Sequence, residues 1–378
     1  MNSRAGAPQR LPQIVRGLGG VLPRSVDALR QSGDWHAASP RGVRQLGEAM
    51  LDELTLTGMT LLAPAPTLQR PLSACAPAAE ELAGLGIDRA HADPEPLRVK
   101  AIRRRRIGTL AYERVSFEHD PRLPDTLAAA RLGGPATAEV HLCRHRDGPR
   151  PWLVWVHGAG QGAAGDLLVA RVGRLHRELG FNIALPVQPG HGVRRRAWPA
   201  YPGHDPLSNV AGMMRAISEV RAVVRWLHPQ STAIAVSGIS LGSPVAGVVA
   251  QLEKRVDAVA VYTPIAGLNA MIGHHLWRWG PAAGPMSDAL RSEVATNLMS
   301  VVNLLDTDPV PPPARRLTVA AWHDRMAFRE PAVALQERWG GQLYWHDGGH
   351  VGQIFSRRVQ AESERFLGAV VAQGGRSG

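Results

Sequence analysis

The residues that point most directly to chemistry lie in Ser237-Gly238-Ile239-Ser240-Leu241-Gly242, a G-x-S-x-G sequence. It follows the apolar run Ala233 to Val236 and precedes the helix-compatible stretch SPVAGVVAQLEKR. A strand, a tight turn and a helix would hold the Ser240 hydroxyl exposed in a strained conformation, with a helix N-terminus aimed at developing negative charge. Gly238 and Gly242 remove side chains where strand and helix must approach closely. A serine hydroxyl attacks only when a base takes its proton. His350, after the Gly348-Gly349 turn, is the favoured base, and His346 at the end of the preceding strand run is its rival. Asp324, in His323-Asp324-Arg325 after the run Leu317 to Trp322, is the expected orienting acid. Asp306 and Asp308 are alternative acids.

Acyl transfer also needs donors for the oxyanion, each contributing about 2.7–4 kcal/mol. The Leu241 N–H, next after the nucleophile, is one candidate. The other is Ala159, in the loop His157-Gly158-Ala159-Gly160-Gln161-Gly162 after the run Trp152 to Val156, with Gly160 the near alternative. The loop lacks the G-K-[ST] ending and the G-x-G-x-x-G spacing of phosphate cradles.

The elements that must position these groups are legible from residue 150 onward. Apolar runs at Trp152–Val156, Asn182–Leu185, Ala233–Ser237, Ala258–Tyr262, Leu317–Trp322 and Gln342–Trp345 read as strands buried on both faces. Helical spacing predicts helices over Leu167–Leu179 and Val210–Leu227, just after Ser240, over Pro331–Trp339 and over Val351–Val371. This alternation predicts an α/β fold, a mainly parallel sheet with helices on both faces. Residues 98–117 and 136–146 read as an antiparallel extension of the sheet. The expected organisation is an N-terminal, mostly helical extension over 1–97, a catalytic domain over 98–372 and a tail over 373–378. Within the extension, Arg41–Leu62 and the region around Ala78–Leu85 read as helices; its role is open between capping, dimerisation and covering a sheet edge. Two insertions, 187–207 and 264–316, are long enough to act as cap or pocket segments.

The stretches WLVWVHGAG, SGISLGS, AAWHDR and WHDGGH, in this order, resemble the α/β-hydrolase superfamily over about residues 98–372. PWLVWVHGAGQG, ELGFNIALPVQPGHG and the W-x-x-GGHVGQIF ending are similar to a group of poorly characterised actinobacterial α/β-hydrolases. The resemblance implies an α/β-hydrolase fold with cap-like insertions and serine-dependent hydrolysis, most often of esters. It leaves the substrate open. Ser243 replaces the second glycine of the commoner G-x-S-x-G-G pattern, which predicts looser packing at the helix start. The expected reaction is cleavage of a carboxylic ester or related acyl bond through Ser240, His350 and Asp324. It needs no cofactor or metal, and its partner is a small-molecule acyl substrate. An acyltransferase with the same triad and a non-catalytic binding protein on this fold are the alternative readings.

Composition narrows the remaining classes. The chain has 378 residues, 44% hydrophobic and 20% charged, which is globular. No apolar run reaches the roughly 18 residues of a membrane span, and the first residues carry no apolar signal core. Two cysteines, Cys75 and Cys143, fit a reducing cytoplasm. The net charge of +11 raises nucleic acid as a partner. Its distribution argues against one: residues 1–150 hold 21 Lys+Arg against 16 Asp+Glu, and the rest 22 against 16. Arg103–Arg106 reads as a charged strand edge that discourages strand addition. Arg194–Arg196, Trp198, Tyr201 and His204 read as an exposed loop. His274, His275, Trp277 and Trp279 read as pocket lining or cap core, and Met213-Met214 as helix core. His141, Cys143 and His145 alternate on a presumed edge strand, without the spacing of an established zinc motif.

Overall fold

A computed structural model describes residues 15–374, apart from 34, 64, 68, 69, 170, 198 and 200. Nine strands form one sheet: β1 Val99–Ile107, β2 Leu110–His119, β3 Ala136–Cys143, β4 Arg150–Val156, β5 Asn182–Val187, β6 Ser231–Ile239, β7 Ala258–Tyr262, β8 Arg316–Ala321 and β9 Gln342–His346. Their order is β1-β2-β3-β5-β4-β6-β7-β8-β9. The pairs β1/β2, β2/β3 and β3/β5 are antiparallel, and every pair from β5 to β9 is parallel. The parallel strands are the apolar runs of the sequence; β4 to β8 are buried between two helical layers, whereas β9, at the end of the sheet, is half-buried along Gln342–Trp345, contrary to its sequence reading.

One face packs against helices Leu72–Ala90, Pro206–Leu227 and Gly242–Leu252, with Val140, Trp152, Val154, Val236 and Val259 in the shared core. The other packs against the C-terminal helix Arg357–Gly374 through Leu153, Ile183, Val319, Phe366 and Val370. Fully burying such side chains contributes about 1.5–3 kcal/mol each. Met213 and Met214 lie in the first of these cores, as expected.

Helix ends differ from their sequence patterns where the backbone turns. The pattern over Leu167–Leu179 splits into Asp166–Val169 and Val172–Arg177, because Arg171 adopts a left-handed φ of 54°. The last pattern divides into a 3-10 turn, Gly352–Phe355, and the helix Arg357–Gly374. The N-terminal region supplies the 23-residue helix Pro40–Leu62, capped by the Ser39 hydroxyl. Helix Leu72–Ala90 extends the Ala78–Leu85 pattern at both ends, with a non-helical φ/ψ at Gly86.

β1 is the sheet's outer edge, and Arg103–Arg106 are exposed on it, as expected for a charged edge. β3 is not an edge strand, contrary to its sequence reading, because β2 and β5 flank it. Its His141 and Cys143 are buried in the sheet layer, and His145 stacks on His176 instead. In the 187–207 segment Arg194 is internal rather than exposed. It forms a two-pronged ion pair with Glu219 at 2.6 and 2.8 Å. Arg195 and Arg196 are exposed, Tyr201 is buried and His204 is half-buried; Trp198 lies outside the described residues. Residues 375–378 of the expected tail also lie outside them.

Candidate active site

The site is built from the ends of β4, β6 and β8 and the loop after β9. β6 ends at Ile239, and the chain reverses at Ser240 into helix Gly242–Leu252. Ser240 has φ 53°, a left-handed conformation that costs an L-residue on the order of 1–3 kcal/mol. The surroundings hold it there: the Ser240 N–H donates to the Tyr262 carbonyl at 2.9 Å, and the Ser243 N–H to the Ser240 carbonyl at 2.9 Å. A Cβ at Gly238 would lie 2.1 Å from the Gly242 carbonyl oxygen, and one at Gly242 2.2 Å from that of Val156. Both glycines are therefore required by close backbone approach. Ser243 tightens the turn rather than loosening it. It is fully buried, and its hydroxyl lies within hydrogen-bond reach of the Gly238 and Tyr262 carbonyls at 3.1 and 3.2 Å.

His350 Nε2 lies 2.9 Å from Ser240 Oγ, and His350 Nδ1 lies 2.7 Å from Asp324 Oδ2. These distances suit a chain in which Ser240 O–H donates to Nε2 and Nδ1–H donates to the carboxylate. The other Asp324 oxygen accepts from the Met326 and Ala327 N–H groups at 2.8 and 2.7 Å, which fixes the carboxylate plane. Burial would lower the His350 pKa. The charge and hydrogen bond of Asp324, with the charge of Asp52, outweigh it and hold the pKa above the ordinary histidine value. Ser240 is 8% exposed and His350 4%, so their interaction is little screened by water.

The other sequence candidates lie elsewhere. His346 Nε2 is 2.7 Å from Glu48. Asp306 accepts from Asn303, and Asp308 lies 3.8 Å from Arg316. His275 bonds the Met326 carbonyl at 2.9 Å, and the Trp277 ring is exposed beneath the Arg278 guanidinium.

Leu241 and Ala159 flank the turn, and among the described residues neither N–H donates to another group. The Gly158 N–H is engaged by Gln161 Oε1 at 2.7 Å. A Cβ at Gly158 would meet the Ser240 Cβ at 3.3 Å, so this loop lies against the Ser240 turn. His157 supports the loop from below: Nδ1 lies 2.8 Å from the Gly158 carbonyl, and Nε2 accepts from the Gln188 N–H at 3.1 Å. Burial, reinforced by His191, pushes the His157 pKa down to about 3. The neutral ring supplies one donor and one acceptor, as this arrangement requires.

The sequence reading missed the contribution of helix Pro40–Leu62. Asp52, fully buried, accepts from the backbone N–H groups of His350, Val351 and Arg325 at 2.7, 2.8 and 3.2 Å. Glu48 accepts from the Gly349 N–H at 2.9 Å and meets His346 Nε2. Glu53, also fully buried, pairs with Arg24 at 2.7 Å, Arg278 at 2.8 Å and Arg325 at 3.4 Å. Asp347 is held by Arg41, Arg44 and Gln45, each at 2.8 Å. The available signal was the i, i+4 spacing of Glu48 and Asp52, which puts both on one helical face.

Among the described residues no cluster of three His, Cys, Asp or Glu side chains is gathered to hold a metal. None of their helices is long and apolar enough to cross a membrane.

No protein-family model matches the chain. It is 33% identical over 298 residues to the uncharacterized protein Rv2627c of Mycobacterium tuberculosis strain H37Rv, covering 75% of this chain and 70% of that one. The uncharacterized protein MT2702 of strain CDC 1551 matches over the same lengths. Two solved structures share the fold. The acetyl xylan esterase from Paenibacillus sp. R4 has a TM-score of 0.50 at 17% identity, covering 82% of this chain and 97% of that one. Acetyl xylan esterase 1 from Thermoanaerobacterium sp. has a TM-score of 0.51 at 15% identity, with 82% and 96% covered. With its mostly parallel sheet flanked by helices, this chain has the α/β-hydrolase fold, and it belongs to one family with the Mycobacterium tuberculosis protein Rv2627c.

Proposed function

We propose that the protein is a serine hydrolase that cleaves a carboxylic ester through an acyl-enzyme. The observation that carries this reading is the hydrogen-bonded series Ser240–His350–Asp324, formed across three separate loops. Ser240 Oγ attacks the ester carbonyl while His350 Nε2 takes its proton. The Leu241 and Ala159 N–H groups receive the oxyanion. The imidazolium then protonates the departing alkoxide, and the C–O bond breaks. Water repeats the sequence with His350 as base, which releases the carboxylic acid and restores Ser240. Asp324 holds the Nδ1–H tautomer throughout. Residues 98–372 carry every group that acts in these steps. The free, buried state of Cys75 and Cys143 supports placement in a reducing compartment, the cytoplasm.

The test is hydrolysis of a chain-length series of p-nitrophenyl esters by wild type and Ser240→Ala, with fluorophosphonate labelling and peptide mapping. The expected result is turnover and a label on Ser240, with Ser240→Ala lowering kcat by about 10⁶-fold. A folded wild type that neither turns over nor labels would overturn the reading.

A further inference from the structure

The Asp52 carboxylate raises a physical question. A buried charge is costly unless a cation or several donors compensate it. Among the described residues no cationic side chain pairs with Asp52, whereas its neighbour Glu53 has three arginines. All the partners of Asp52 are backbone N–H groups. Two belong to the histidine loop, at His350 and Val351, and one to the acid loop, at Arg325. One oxygen, Oδ2, spans the two loops by accepting from both His350 and Arg325. On one side it bonds His350, the base of the proposed triad, and on the other Arg325, the residue next to its acid, Asp324. A neutral acceptor would satisfy part of this donor set at lower cost. What the charge adds is a second anion beside the imidazolium that forms as Ser240 attacks.

We infer that Asp52 is a positioning residue of the triad. It locks the acid and histidine loops together and stabilises the protonated form of His350 through space, without touching substrate. The inference rests on reading Ser240, His350 and Asp324 as the reacting set. It also gives the N-terminal region a role, completing the active site from outside residues 98–372. The flanking contacts fit. Glu48, one turn earlier on the same helix, grips Gly349, and Asp347 is tied to Arg41, Arg44 and Gln45.

The charged and titratable groups packed around Asp52 are Asp324 and Arg325 from the acid loop, His346, Asp347 and His350 from the histidine loop, Glu48 and Glu53 on its own helix, and Arg278 beyond Glu53. Burial, then the charge of Asp324, pushes the Asp52 pKa up to about 6 against the pull of His350 and the N–H donors. Asp52 is therefore ionised when His350 is neutral and ready to act as base above that range.

The test uses the full chain with Asp52→Ala and Asp52→Asn. Each is made in the wild type for kinetics and in Ser240→Ala for NMR titration of the His350 imidazole. Displacing a reacting group by about 1 Å costs on the order of 10²-fold, the loss of kcat expected for Asp52→Ala, with KM nearly unchanged. Asp52→Asn should recover part of kcat, because an amide oxygen can still accept from His350 and Arg325. Both variants should move the His350 titration, and with it the acid limb of kcat/KM, to lower pH. A structural clamp alone would change melting and leave that titration in place. Folded variants with wild-type kcat and an unshifted His350 overturn the inference, and Asp52→Asn decides if Asp52→Ala does not fold. Because the titration needs no substrate, it separates failure of this inference from absence of esterase activity.

Discussion

The proposed nucleophile, Ser240, and its proposed base, His350, are held in place by different means. Ser240 is fixed by its own neighbourhood: a strand end, two glycines packed against backbone, a hydrogen bond donated to β7 and one accepted from the next helix. His350 is fixed from a distance. The carboxylate that holds its backbone N–H lies 298 residues away in sequence, on helix Pro40–Leu62. The turn is held within the sheet, by the β4 and β7 strand ends that flank β6. The clamp is a tertiary device that exists only when a remote helix docks. Each can therefore fail without the other.

Three experiments bear on this contrast, beginning with the largest expected effect. Glu53→Gln removes the fully buried anion shared by Arg24, Arg278 and Arg325, of which Arg278 is shielded from water. Breaking a buried pair from one side costs about 3–5 kcal/mol. Denaturant unfolding should show a loss of that size. A loss near zero would mean that the helix is not bound through this cluster.

A pair of glycine substitutions comes next. At Gly242 an added Cβ meets backbone, the Val156 carbonyl oxygen at 2.2 Å, and the strain of about 1–3 kcal/mol has no easy relief. At Gly348 it meets a side-chain tip, Glu48 Oε2 at 1.9 Å, which can swing away. Gly242→Ala should therefore lower the melting temperature. Gly348→Ala should cost about 1 kcal/mol, one hydrogen bond's worth, and express itself in kcat. Equal stability losses would erase the distinction between the two devices.

The smallest effect is one of pH. Burial opposes ionisation of Glu48, Glu53 and Asp347. His346 and Gly349 at Glu48, the arginines at Glu53, and Arg41 with Gln45 at Asp347 outweigh it, and Asp347 falls to about 2. These depressed values contribute stability above the carboxylates' unfolded pKa that is lost as pH falls through their folded values. Asp52 has the opposite sign. Its raised pKa favours the folded state as it gains a proton on the way down. With three groups against one, hydrogen-exchange protection of helix Pro40–Leu62 should fall between pH 5 and 2 before that of helix Gly242–Leu252. Simultaneous loss would mean that the clamp and the turn unfold as one unit.

The same contrast sets what could be read in the sequence. The meeting of Ser240, Asp324 and His350 was legible because each stands at or just after a strand end with its turn residues beside it. The inner parallel strands were legible because both-face burial leaves continuous apolar runs, while β9 is only half-buried. The clamp was not, since no local pattern states which loop a remote helix will touch. Its trace was present but ambiguous. Gly348, Gly349 and Gly352 suggest a flexible turn, yet none has a positive φ. They are glycines because an added Cβ would strike Glu48 or Asp52. Ser243 was misread for a related reason: its packing depends on the Tyr262 carbonyl, brought in from the neighbouring strand. The β3 misplacement came from strand order, which apolar runs do not encode.

The two margins of the sheet are protected differently. β1 ends it with a row of exposed arginines, which repel other chains. β9 ends it at the other side with Gln-Leu-Tyr-Trp-His, and helix Pro40–Leu62 stands beside it across a cavity of about 1060 Å³ lined by Arg44, Leu51, Tyr344 and Trp345. When the helix departs, this cavity opens and its aromatic lining, Tyr344 and Trp345, meets other polypeptides. Loss of the clamp would thus be a self-association hazard, and a chain shortened to residues 98–372, which also loses helix Leu72–Ala90 from the main core, should be recovered mainly as aggregate.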